Sequence, residues 1–149
     1  MKFKYLLLSV VVLMCLWSCK KNTVMPAPAV TIVGKWQLVK QHSLLYNNGS
    51  AIDSVNKTKF TNSDFVEFYS DGTGYYSQST SDGPSLNEFT YTLKGSVITE
   101  FRSVESNGIP ETVSSLTVNS LLLHVESLVA DPNDPNVYDT EKDDLSYTR

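Results

Sequence analysis

The 149-residue chain predicts an all-β domain, an antiparallel up-and-down barrel of eight strands, with a β-sandwich as the alternative. Three observations predict it. Apolar and polar residues alternate with period two, turn-forming pairs separate the alternating runs, and no segment long enough for a helix repeats at helical spacing. Composition agrees. Eight Tyr, six Phe and two Trp favour strands. Hydrophobic residues at 41% against charged residues at 19% describe a chain that buries a core, at a length suited to one domain.

The elements follow in order from Ile32. "VGKWQLVKQHSLL" opens the domain, and period two places Trp36, Leu38, His42 and Leu44 on one face, with Lys40 interrupting. Tyr46 to Ser63 is polar and reads as a loop across one barrel mouth, a lid or a plain surface connection. "FVEFY" and "GYYSQST" flank Asp71-Gly72, a two-residue hairpin signal whose central residues both accept positive φ. Either Tyr75 or Tyr76 then joins Phe68. "EFTYTL" alternates strictly, with Phe89, Tyr91 and Leu93 on one face. A three-residue turn, Lys94-Gly95-Ser96, would set Phe89 opposite Phe101 of "VITEFRSV" and keep the aromatics together. "TVSSLTV", an "NS" turn and "LLLHVESL" follow, then the loop "VADPNDPN" and a last strand within "VYDTEKDDLSYTR". Eight strands close a small barrel and leave no exposed edge. The two longest loops, Tyr46–Ser63 and Ala130–Asn136, are the crossovers a sandwich would need.

The first 31 residues carry an address. Lys2 and Lys4 precede a twelve-residue run, Leu6 to Trp17, that is apolar except for Ser9. That is the pattern of a secretory signal, and Lys20-Lys21 ends it well short of the roughly 20 residues a spanning helix needs. "LWSC" resembles a bacterial lipobox. The resemblance implies cleavage after Ser18, a diacylglyceryl group on the sulfur of Cys19, and loss of Cys15 with the signal peptide, residues 1–18. No disulfide or thiolate metal site then remains. Residues 19–31 form the lipidated end and a tether, whose "KKNTVMPAPAVT" is extended and reaches at most about 40 Å. The domain covers 32–149. Lys20 replaces the Asp that retains lipoproteins at the inner membrane of enteric bacteria. An outer-membrane location on the periplasmic face, rather than the cell surface, is the expectation. Cleavage leaves ten basic and sixteen acidic side chains, a net charge of −6, so the domain hangs from anionic lipid rather than lying on it. The acidic balance argues against nucleic acid as a partner.

"VGKW", with Gly34 and Trp36, is similar to the Gly-x-Trp signature of lipocalins. The wider pattern, "VGKWQL … FVEFYSDGTGYY … FTYTLKGSVIT", resembles the small lipocalin-like domains of bacterial lipoproteins. The resemblance implies a barrel closed at the Trp36 end, with an Arg, Arg149 or Arg102, stacked on that Trp.

Residues for chemistry are sparse. His42 and His124 have no cysteine partners and no zinc-binding spacing, and there is no nucleophile elbow or phosphate loop. "DPNDPNVYDTEK" starts like a calcium loop, but Pro135 takes a ligand position and Lys142 stands where Glu is required. No metal, cofactor or catalytic residue is therefore expected. Trp36, Phe68, Tyr76, Phe89, Tyr91 and Phe101 are the candidate cavity lining, for a small apolar ligand, or else a filled core. Asp53-Ser54-Val55 is similar to a bacterial O-glycosylation acceptor, which makes Ser54 a candidate site. The expected function is a membrane-anchored, non-catalytic module that binds a small apolar ligand or an envelope partner. The alternative is a structural or interaction protein with a filled barrel, an inhibitor or accessory subunit acting through its outer surface.

Overall fold

The computed structural model describes residues 30–102, 108–130 and 138–149. The expected signal segment, Cys15, Cys19, most of the expected tether and residues 131–137, where a loop was expected, lie outside the described residues. Among the described residues nine strands follow one another: β1 (Gly34–Asn47), β2 (Ser50–Lys57), β3 (Phe65–Phe68), β4 (Thr73–Thr80), β5 (Gly83–Lys94), β6 (Val97–Arg102), β7 (Ile109–Leu116), β8 (Ser120–Ala130) and β9 (Tyr138–Thr148). Every pairing is antiparallel, and neighbours from β3 to β9 are consecutive in the chain. β1 pairs with β3 on one edge and β9 on the other, which closes β1 and β3 to β9 into an eight-stranded up-and-down barrel. That closure excludes the sandwich.

β2 stands outside the ring. The lower part of one β1 edge pairs with β3 through Gly34–Gln37, and its upper part, Gln41–Asn47, pairs with β2. The Tyr46–Ser63 stretch expected as a loop is thus largely a hairpin arm. Asn48 and Gly49, at φ 48 and 79, form its two-residue turn. All eight residues of β2 are exposed.

Two turns and one bulge set which residues face inward. Tyr69 N donates to Thr73 O, so the β3–β4 turn holds Ser70, Asp71 and Gly72, and among these only Gly72 has positive φ, 85. The Asp71 carboxylate accepts from Thr73 N and Oγ1 instead of Asp71 adopting a left-handed backbone. Val66 then faces Tyr76, so Tyr76 and not Tyr75 joins Phe68 inside. At the β5–β6 turn Lys94 pairs with Val97, leaving a two-residue turn, Gly95-Ser96. Phe89 therefore lies opposite Arg102, and Phe101 lies opposite Thr90 on the outer face. This corrects the expected Phe89–Phe101 pair. The shift of one residue exchanges the faces of all of β6. The third device is a bulge in β1. The register skips Val39 between Leu38 and Lys40, so Trp36 and Leu38 face inward, and then Gln41 and Ser43 do. His42 and Leu44, expected beside Trp36, go to the other face.

The apolar core lies at one end. Ile32, Trp36, Val66, Phe68, Phe89, Ile98, Leu121 and Leu123 are buried together. Trp36 Nε1 donates to Ile32 O at 2.6 Å, and the Arg149 guanidinium lies 3.9 Å over the indole ring. Arg149 also donates to Thr31 O and Val33 O. Of the two arginines proposed from the resemblance, Arg149 is the one on Trp36. A Cβ at Gly34 would approach the guanidinium to 3.0 Å, at a backbone φ of 127. Gly34 thus lets the cap sit down on the first strand.

Candidate functional site

The aromatic candidates divide into three groups. Phe68 packs edge-on against Phe89 at 5.6 Å and against Tyr91 at 5.1 Å. With Trp36 these rings plug the closed end, and Tyr91 Oη donates to Tyr69 O at 2.7 Å. Tyr76 lies further up, on the wall of a cavity. Phe101 lines a shallow outer groove with Tyr69 and Tyr75. Gly108 packs on its ring, where a Cβ would come within 2.9 Å.

Above the plug the barrel is not filled. A cavity of about 350 Å³ lies there, within the usual range of ligand sites. Its rim includes Lys57, Phe60, Asp64 and Gln78. Its interior side chains include Gln41, Glu100, Arg102, Glu111 and Asp143. The β1 bulge presents Gln41 and Ser43, the β6 register presents Glu100 and Arg102, and period two on β7 and β9 presents Glu111 and Asp143. Of the expected aromatic lining only Tyr76 borders this cavity, whose wall mixes these charged groups with Leu38, Val66, Leu123 and Leu145.

Each polar group has a defined setting. Glu100 is 3% exposed and pairs with Arg102 at 3.1 Å. Arg102 stacks over the Tyr76 ring at 4.7 Å. Burial pushes the Arg102 pKa down, but Glu100 outweighs it and holds the guanidinium above its ordinary value. Asp143 accepts from Ser43 Oγ and from Gln41 Nε2. Glu111 is 5% exposed, and burial, reinforced by repulsion from Glu100, pushes its carboxyl up to about 8, with Arg102 pulling the other way. The Tyr147 hydroxyl beside them is raised, first by burial.

The rim is built on Asp64. Its carboxylate accepts from Thr61 N and Oγ1 at 2.6 and 3.0 Å and from Ser79 N and Oγ at 2.7 and 3.1 Å. Burial pushes the Asp64 pKa up, but these four hydrogen bonds outweigh it and hold the group below its ordinary value. Gln37 Nε2 donates to both Thr61 O and Asp64 O at 2.6 Å, which fastens the same segment to β1.

The remaining candidates lie elsewhere. Ser54 is exposed on β2, its Oγ 3.4 Å from His42 Nε2. His124 is on the outer wall between Asp144 at 2.8 Å and Glu126 at 3.4 Å. Among the described residues no three His, Cys, Asp or Glu side chains converge to hold a metal ion, and no helix is long and apolar enough to cross a membrane. Glu100, Arg102, Glu111 and Asp143 were not among the sequence candidates. A signal for them exists: Ile98-Glu100-Arg102, Glu111-Val113 and Asp143-Leu145-Tyr147 each place charge in phase with apolar strand residues.

No family model and no curated protein matches the chain. Among solved structures, it is similar to a lipocalin-like protein from Bacteroides uniformis, at 20% identity and a TM-score of 0.48, over 76% of this chain and 94% of that one.

Proposed function

We propose that this chain is a lipocalin-like lipoprotein, tethered to the outer membrane through Cys19, whose barrel binds a small ligand without transforming it. One observation carries the binding reading: the barrel holds a half-open cavity of about 350 Å³ above its aromatic plug, lined by charged, polar and apolar side chains. A barrel packed solid, the structural alternative, would fill that space with apolar side chains. Of the two occupants expected from the sequence, a small ligand and an envelope partner, the cavity favours the ligand. Its lining favours a polar molecule over the apolar one.

The point of entry supports the tether. The chain reaches β1 through Val30–Val33, at the plugged end beside Trp36 and Arg149. A lipid on Cys19 would hold the barrel by its closed end and leave the cavity clear of the anchor. The exposed Ser54 is accessible for the glycan proposed there.

The native protein, extracted from its membranes and examined by native and intact-mass spectrometry, tests these points. A small molecule bound in near-stoichiometric amount is expected, with added mass from lipid on Cys19 and a hexose-type increment on Ser54. A ligand-free barrel would overturn the binding reading, and a product formed from the ligand would overturn the non-catalytic one. Lipid mass alone would remove Ser54. Unchanged membrane fractionation and palmitate labelling of Cys19→Ala would remove the anchor.

A further inference from the structure

Three carboxyl groups from β6, β7 and β9 reach the cavity, and their partners differ. Glu100 is engaged by Arg102, and Asp143 by Ser43 and Gln41. Glu111 is 95% buried and borders the cavity, but no side chain or backbone N–H of the described residues donates to it. Buried carboxyl oxygens nearly always have a donor, and one left without is an open hydrogen-bonding position. The groups facing Glu111 are Glu100 and Arg102 from β6, Asp143 and Tyr147 from β9, and Tyr76 from β4. β8 contributes only apolar neighbours at this level, Val125 directly opposite and Leu123 beside it. Against these three carboxyls the described interior holds one guanidinium, which pairs with Glu100 through one terminal nitrogen and leaves its Nε without an acceptor, and one ammonium, Lys57, stands at the rim. An anion entering this space meets net negative charge, and a neutral molecule leaves that charge uncompensated.

We propose that the cavity is a site for a small organic cation, a primary ammonium or a guanidinium, whose N–H groups occupy the open position on Glu111. This rests on the reading of the barrel as a ligand-binding module and specifies the class of ligand. Because burial keeps the Glu111 carboxyl protonated through neutral pH, a cation can pair with it only by displacing its proton. Binding is then written as one ammonium taken up and one proton released to solvent. Affinity should rise with pH up to about 8, by at most about tenfold per unit for a single linked proton.

The test uses the full-length lipidated chain in detergent and three probes of matched shape: phenethylammonium, 2-phenylethanol and 3-phenylpropionate. Titration calorimetry at pH 7 in two buffers of different ionisation enthalpy counts the protons. Phenethylammonium is expected to bind tightest, to release close to one proton, and to bind more tightly at pH 8 than at pH 6. Glu111→Gln, which keeps the shape, is expected to lose at least about tenfold in affinity and all the proton release. If Glu111→Gln fails to fold, the wild-type proton count decides alone. Equal or tighter binding of 2-phenylethanol or 3-phenylpropionate, or ammonium binding with no proton released, overturns the cation proposal and leaves the barrel a ligand-binding module. Binding of none of the three also overturns the cation proposal. The binding reading itself falls only if the native protein proves ligand-free.

Discussion

At the scale of single residues, burial and partnership decide what a charge does here. Glu111 and Asp64 are both carboxyls with almost no exposed surface, but four donors surround Asp64 and none of the described residues donates to Glu111. Their pKa values accordingly move in opposite directions. For Glu111 the folded value lies above the unfolded one, so its protonated form stabilises the fold at low pH. That stability is lost as pH rises from about 4.5 to about 8. Urea unfolding of wild type and Glu111→Gln across this window should show the variant gaining on wild type, by at most about 1.4 kcal/mol per pH unit. Parallel pH profiles would contradict the assignment. His124 moves the other way in charge. Hydrogen bonding to Asp144, aided by Glu126 and opposed by burial, raises its pKa. The protonated ring therefore stabilises the fold below about 6.5, the unfolded value, and that gain disappears as pH rises through the raised one. NMR titration should place His124 above the ordinary histidine value, and Asp144→Asn should bring it down. The effect on stability is small, because the ring and both partners are substantially solvated.

At the scale of elements, alternation was legible wherever one strand face is buried. β1 and β3 to β9 show it, because a core on one side and water on the other imposes period two on the sequence. β2 has water on both faces, so its residues carry no alternation, and the Asn48-Gly49 pair was its single mark. The interior charges were hidden for another reason. Whether Phe101 or Arg102 faces inward depends on one residue in the Lys94–Val97 turn, and hydrophobicity favours placing the aromatic inside. Likewise the Val39 bulge exchanged Gln41 and Ser43 for His42 and Leu44, and no composition signal marks a bulge. The connection between β2 and β3 is held by Asp64 rather than by apolar packing. Asp64→Ala would strand the Thr61 and Ser79 donors, at a cost of about 2–3 kcal/mol in urea unfolding. Amide exchange should accelerate at Thr61 and Ser79 while β7 keeps its protection. An equal loss of protection throughout would show that the segment is not a local unit.

At the scale of the whole molecule, the barrel is a graded object: a packed aromatic plug at one end and a chamber with charged groups in its wall above it. What seals the plugged end is Arg149, which joins the segment after β9 to the segment before β1. Two contributions are present. The guanidinium lies over the Trp36 ring, and its N–H groups donate to the carbonyls of Thr31 and Val33. Stacking of a cation on an indole contributes roughly 0.5–2 kcal/mol, and a hydrogen bond from a charged donor roughly 1.5–3 kcal/mol before solvent exposure reduces it. Arg149→Ala should therefore lower stability by about 1–3 kcal/mol, measured by urea unfolding of otherwise identical chains. Arg149→Lys separates the contributions. An ammonium keeps the charge and can reach one carbonyl, but it cannot lie as a plane on the ring or bridge both acceptors. The lysine variant should recover less than half of the alanine loss, and the near-ultraviolet signal of Trp36 should stay perturbed in both. Full recovery by lysine would show that charge alone seals the barrel. No loss in the alanine variant would show that the strand ladder between β1 and β9 closes the ring without the cap.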